Sequence, residues 1–484
     1  MKIYTLWCHR VAMTKSAHRL NLVLSLILVV NAMLFGSPRL SSAQTSDDQA
    51  LQIARQAVSA LNNADYDTVY ALFSDALVKA LTKDQIKATW ESLLKTEGTY
   101  NGETNHTVNT VQGHTIVVLT LEFANGRLTA NISVTGQGKI DSIGFHPAPT
   151  KLVMAPDEQE VTFKNGTDTI YGTLLIPVNA RGKIPAVLLI SDSGPVDRDG
   201  NSALLPGKID SQKQFARILA NVGVASLRFD KYGTGKTGLG SYANNAARLT
   251  FDSYVSTAVF AYQYLSRRSE IDPTHMAILG HGEGGLIALL ISAKMQGTDQ
   301  SPVALILAAP LSQPFLIALR EQYARAIVPV VTAGKITQKQ ADALLAEFDQ
   351  LIAQVIKDGT VPAKVDPALS SVFSATNSKF LQDANQYDPP KIATMLPVTL
   401  KVLLLCGLKD EQVPCTDVQL LVDGFKQGGN TNTEFNQLAN VDFVFKEISG
   451  TPNMQTDYID PTKPFSVEAT QLITAFAKTA LLTR

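Results

Sequence analysis

Several strand candidates of this chain are apolar at consecutive positions, where a half-buried strand would be apolar at alternate ones. The candidates include "IPAVLLIS", "VASLRFD", "HMAILG", "VALILAAP" and "TLKVLLLCG". A strand with one wet face alternates; a strand covered on both faces does not, and parallel sheets flanked by helices are where such strands occur. With "TIYGTLLIP" before them and "DFVFKEI" after, and helical patterns between most, they predict an α/β domain over residues 158–484. Its core is a doubly wound, mostly parallel sheet.

One connection is much longer than the rest. Residues 311–396 separate "VALILAAP" from "TLKVLLLCG" and hold two long helical patterns. In "TQKQADALLAEFDQLIAQVIKDG", Thr337 and Gln340 make a capping box, and Leu344, Phe348, Leu351, Ile352 and Val355 an apolar stripe. An insertion of this size predicts a helical lid over the C-terminal edge of the strands, where open α/β sheets bind ligands.

The chain before residue 150 follows other rules. Leu51, Ala54, Val58 and Leu61 keep a helical face, and Thr82 with Gln85 caps a further helix. The period then changes to two. Val117, Leu119, Leu121 and Phe123 share one side of a strand; Leu128, Ala130, Ile132 and Val134 share one side of the next, with "ANG" (124–126) as the hairpin. Helices first and an antiparallel sheet after predict a small α+β domain over residues 44–150. Its stretch "YALFSDALVKALTKDQIKATWESLLKTEGTY" resembles the NTF2-like DUF3887-type domain, a resemblance that brings no chemistry with it.

Residues 1–43 read as an export signal. A basic segment with Lys2, Arg10, Lys15 and Arg19 leads into "LVLSLILVVNAMLF", and "SSA" ends at Ala43. Cleavage there removes five of the 42 basic side chains and none of the 43 acidic ones. The expected product is an acidic secreted or periplasmic protein with no stable membrane span and no affinity for nucleic acid. Cys406 and Cys415 survive, and in an oxidising compartment they can pair across a short loop or remain thiols.

Three segments resemble phosphate-binding loops and fail on inspection. Gly280, Gly282 and Gly285 spell G-x-G-x-x-G, but after the fourth strand of the domain, and the next strand ends in Ala308, Ala309 and Pro310 with no carboxylate for a ribose. "GTGKT" (233–237) has Asp230 where a P-loop needs glycine, and "SGPVDRDGN" has no phosphate-loop spacing. No nucleotide or other cofactor is expected. No metal is expected either, since no histidine neighbours Cys406, Asp410 or Cys415.

All of these loops fit one other frame. "SDSGPVDRDGNS" (191–202), "LRFDKYGTGKTG" (227–238), "LGHGEGGLIALL" (279–290) and "LLLCGLKDEQVP" (403–414) occur in that order. In this the chain resembles secreted bacterial α/β-hydrolases of the serine aminopeptidase and esterase group, whose elements are G-S-G-P-x-D-R-D-G-N, R-x-D-x-R-G-x-G-x-S, G-H-S-E-G-G and G-x-x-D-x-x-V. The resemblance implies acyl transfer to a serine, deprotonated by a histidine that a carboxylate orients, in the chain order Ser, Asp, His.

Carried over residue by residue, it retains the acid position as Asp410 and loses the rest. The nucleophile position is Gly282. The base position in "GTPNMQTDY" (450–458) is Asn453, and the last histidine of the chain is His281, read as structural. Asp410 has a second reading as a turn cap. The oxyanion loop maps onto Asp192, Ser193 and Gly194, with the Glu283 N–H as its partner. Asp192 stands where the group has glycine, and Tyr232 where it has arginine. A carboxylate at position 192 opposes a developing oxyanion.

The expectation is an exported pseudo-hydrolase that binds a small acyl or peptide ligand or a partner protein. Two alternatives stay open. One is a living ester or peptide hydrolase with a rearranged site using Ser191, Ser193 or Thr451. The other is an interaction module acting through residues 44–150.

Overall fold

The computed structural model describes residues 45–482 apart from 112–113, 125, 148–153, 179 and 206; the export signal lies outside the described residues. The chain divides into two compact units that part after Thr150.

The first unit opens with four helices: α1 (Asp47–Asn62), α2 (Tyr66–Ala71), α3 (Asp75–Ala80) and α4 (Lys83–Glu97). Each is capped by Ser, Thr or Asp, and α1 and α4 carry full capping boxes, Ser46 with Gln49 and Thr82 with Gln85. An antiparallel sheet follows in simple order: β1 (Tyr100–Val111), β2 (His114–Phe123), β3 (Arg127–Thr135) and β4 (Ile140–Pro147). The alternating side of β2 and β3 packs on the helices around Trp90.

The second unit holds an eight-stranded sheet. Its strands are β5 (Glu158–Asn165), β6 (Asp168–Leu175), β7 (Ile184–Ile190), β8 (Ala225–Phe229), β9 (Ile271–His281), β10 (Ala304–Ala308), β11 (Lys401–Gly407) and β12 (Thr433–Leu438). Their order is β12-β11-β10-β9-β7-β8-β6-β5. β5 and β6 form an antiparallel hairpin, and from β8 to β12 every pairing is parallel. β8 and β10 are buried at every residue; β10 is apolar without alternation, while β8 buries Ser226 and Arg228 among its apolar residues.

Helices α5 (Ser211–Asn221), α6 (Phe251–Ser266) and α7 (Glu283–Met295) connect the central strands. Between β10 and β11 lie α8 (Phe315–Thr332), α9 (Gln338–Asp358), α10 (Ser378–Ala384) and α11 (Pro389–Ala393). Part of this insertion has a core of its own, built on Leu316, Phe348, Leu351, Val355, Leu369, Phe373 and Leu381. α12 (Cys415–Gln427), α13 (Met454–Asp457) and α14 (Val467–Ala477) complete the chain. Among the described residues no helix is long and apolar enough to cross a membrane.

One strand assignment is corrected. "DFVFKEI" is not a strand; the slot beside β11 belongs to β12, "TEFNQL". Asp442 turns the chain instead. Its carboxylate accepts the Lys446 N–H at 2.8 Å, and Phe445 takes a left-handed φ of 65°. Phe443, Val444 and Phe445 are all buried because this turn packs against the sheet end, with Phe443 and Phe445 near His281 and Phe445 on Phe215.

Candidate functional site

Strand register assembles the site. Ile190 of β7 pairs with Gly280 of β9, Ala308 of β10 with His281, and Leu405 of β11 with Ala308. The residues just past these ends, Ser191 and Asp192, Gly282, and the loop after Gly407, therefore emerge at one edge of the sheet.

Gly282 makes the turn from β9 into α7 with φ 55° and ψ −121°. That left-handed geometry is the strained elbow on which a nucleophile is displayed, and glycine adopts it without a Cβ penalty. The Gly282 N–H donates to Ala308 O at 3.1 Å, and Leu311 and Gly285 N–H donate to Gly282 O.

The space above the elbow is filled. A Cβ built on Gly282 falls 2.0 Å from Asp192 Oδ1 and 3.0 Å from Phe443 Cζ. Asp192 Oδ1 accepts the Glu283 N–H at 3.0 Å, so the amide that would face an oxyanion already holds a carboxylate. Lys231 Nζ donates to the backbone carbonyl of Asp192 and lies 5.8 Å from the Tyr254 ring centre.

The ionisable groups here are deeply buried. Burial lowers the Lys231 pKa, against the pull of Glu283 and Asp192. Burial raises the Glu283 carboxyl to about 7; Lys231 opposes the rise and Asp192 adds to it. Burial also lowers the pKa of His281, favouring a neutral imidazole, which donates from Nε2 to Phe443 O at 2.8 Å and packs under the Phe443 ring at 4.5 Å. That role is structural.

Because the folded pKa of Glu283 lies above the unfolded value of 4.5, its contribution to stability is full below pH 4.5 and is lost as pH rises through about 7. Glu283→Gln is expected to flatten this part of the stability curve. Urea unfolding from pH 4 to 8 should show the variant gaining on the parent by on the order of 3 kcal/mol across the range.

Asp410 sits in the loop between β11 and α12. Its Oδ1 accepts the Gln412 and Val413 N–H groups at 2.7 and 2.9 Å, a turn cap. Its Oδ2 is shielded from solvent and has no hydrogen-bond partner, and burial pushes its pKa well above the usual carboxylate range despite those two amides. An orienting acid would give this second oxygen to a histidine. Cys406 and Cys415 are disulfide-bonded with Cα atoms 5.5 Å apart, bracketing the loop. Gln322 and Arg325 of α8 donate to Gln412 O, tying the insertion to it.

Asn453 is the position to which the resemblance maps the base. Its side chain is exposed and caps α13, accepting the Gln455 N–H at 3.1 Å. Tyr458 of this segment reaches the acid loop: its hydroxyl accepts from Gln412 Nε2 at 3.0 Å and its ring stacks with Phe443. The other hydroxyl candidates have no base. The Ser191 hydroxyl is buried without a partner, and Thr451 is exposed. Gly194 is exposed with φ 72°, and Ser193 is half-buried. Tyr232 donates to Asp168 at 2.9 Å, away from the elbow. Sequence reading assigned no role to Lys231, Phe443 or Tyr458, although each lies inside a quoted segment: "LRFDKYGTGKTG", "DFVFKEI" and "GTPNMQTDY".

An open groove of about 440 Å³ runs beside the acid loop, lined among others by Leu408, Asp410, Thr416, Gln419 and Gln437. Among the described residues no cluster of His, Cys, Asp and Glu is arranged to hold a metal ion.

Residues 54–143 match the family described as a protein of unknown function, DUF3887, and residues 207–438 the family described as serine aminopeptidase, S33. The chain thus carries a DUF3887 match followed by a match to the serine aminopeptidase group of α/β-hydrolases. It is 24% identical to Esterase EstD of Thermotoga maritima over 411 residues, 83% of this chain and 86% of that one. Similar solved structures include Est1E from Butyrivibrio proteoclasticus (15% identity, TM-score 0.41, 67% of this chain and 99% of that). The Pyrococcus furiosus esterase Pf2001 is another (13% identity, TM-score 0.43, 69% and 97%).

Proposed function

We propose that this chain is an exported member of the hydrolase group that has given up serine hydrolysis and serves as a binding protein for a small acyl or peptide ligand or a partner protein. One observation carries the reading: the Asp192 carboxylate occupies both the volume of a nucleophile side chain and the Glu283 N–H. A serine nucleophile needs a base, and an acyl intermediate needs that amide. The exposed capping role of Asn453 and the orphaned Oδ2 of Asp410 support the same reading. The open groove at the C-terminal ends of β11 and β12 is where a ligand would lie. Export rests on residues 1–43.

The test is a panel of p-nitrophenyl esters and aminoacyl amides, run beside a fluorophosphonate probe on the purified protein. Loss of two triad members typically costs ~10⁴-fold or more in turnover, so rates at the buffer background and no labelled serine are expected. Turnover that Asp410→Ala abolishes, or a probe adduct on Ser191 or Ser193, would instead establish a working hydrolase.

A further inference from the structure

Residues 192 and 282 are far apart in sequence yet describe one volume. Gly282 lacks a side chain, and the place where its Cβ would stand is 2.0 Å from Asp192 Oδ1 and 2.5 Å from Asp192 Cγ. The two positions cannot both carry these side chains. Asp192 is also fixed by polar partners, since its carboxylate takes the Glu283 N–H and its carbonyl takes the Lys231 ammonium. An N–H donating to a carboxylate is a charge-assisted bond, stronger than the same bond to a neutral oxygen. The amide is thus still aimed as an oxyanion donor would be.

We infer that Asp192 is a built-in anionic occupant of an intact oxyanion hole, and that Asp192 and Gly282 are a reciprocal pair, each filling or vacating the space the other requires. This rests on reading Gly282 as the vacated nucleophile position. Two consequences follow from the geometry. A serine at position 282 fits only when residue 192 is short. Shortening residue 192 alone leaves the Glu283 N–H facing a carboxylate-sized space, which a small monocarboxylate from solution can enter.

The experiment compares four full-length proteins by urea unfolding: the parent, Gly282→Ser, Asp192→Ala and the double variant. The strain of a serine at φ 55° is present in both backgrounds and cancels in the cycle. The collision with the carboxylate does not cancel. Gly282→Ser is expected to lower the folding constant about tenfold less in the Asp192→Ala background than in the parent. An equal loss in both backgrounds overturns the pair.

The second readout needs no folded Gly282→Ser protein. Sodium acetate is titrated against sodium chloride at matched ionic strength while the melting temperature is followed. Acetate should stabilise Asp192→Ala and leave the parent unmoved; no acetate effect on Asp192→Ala, or the same effect on both, overturns the intact hole. Neither readout measures ester turnover. A fluorophosphonate-labelled serine in the parent would therefore defeat the non-catalytic reading while leaving the pair to stand or fall on its own cycle.

Discussion

Gly284→Ala is expected to destabilise the hydrolase domain by about 3 kcal/mol or more, although alanine is the better helix former. Gly284 lies in the first turn of α7, directly after the elbow. In an open helix, glycine to alanine gains up to about 1 kcal/mol. Here an added Cβ would lie 2.3 Å from Ile190 O, 2.8 Å from Ile190 C and 2.9 Å from Ser191 O. Those atoms are backbone of β7 and the loop that carries Asp192, so no rotamer change relieves the contact. The strand must move, and with it the oxyanion loop. Urea unfolding reads the effect. An unchanged or higher midpoint would mean that α7 and β7 do not approach as closely as these contacts require.

Packing and turn geometry explain how the opening of α7 imitates a nucleotide fingerprint. The glycines of "GHGEGG" meet three separate demands: close passage of strand and helix at Gly280 and Gly284, contact with Pro310 at Gly285, and a left-handed turn at Gly282. The hydrophobic strands, the capping boxes and the order of the four loops were legible because each depends on residues near in sequence. Two features were not. β12 is an edge strand of mixed polarity, so "TEFNQL" gives a weak signal, while the stronger "DFVFKEI" is apolar because a turn, not a strand, packs it around His281. The filled elbow was half visible. Asp192 could be seen as electrostatically wrong for an oxyanion loop. That its carboxylate would stand where a side chain on residue 282 would lie depends on the Ile190–Gly280 register, which no short stretch of sequence specifies.

Arg228→Ala is the other large effect expected. Two of the quoted loops cross-pair: Arg198 Nη2 reaches Asp230 Oδ2 at 2.6 Å, and Arg228 Nε reaches Asp199 Oδ1 at 2.7 Å. Arg228 Nη2 also meets Glu158 Oε1 at 3.0 Å, which Arg217 holds from the other side at 2.8 Å. Neighbours in one loop thus bind alternate residues at the end of β8, which gives "DRDG" and "RFD" a structural role. Arg228 is 1% exposed, Asp199 6% and Glu158 7%. Removing the guanidinium leaves the buried Asp199 carboxylate without its ion pair and Glu158 with Arg217 alone, a change that costs about 3–5 kcal/mol. Replacing both members, as Arg228→Met with Asp199→Leu, should cost less than the sum of the single changes, because no charge is stranded between them. Acid supplies a further check. Burial pushes the Glu158 pKa up, but the Ala155 N–H, Arg228 and Arg217 together hold it below its ordinary value. Its stabilising contribution is therefore present above the unfolded pKa and is lost as pH falls through the lower folded one. The penalty of Arg228→Ala should shrink as urea unfolding is repeated from pH 7 down to pH 3. A penalty that stays constant over that range would mean that Arg228 acts through packing and not through its charge.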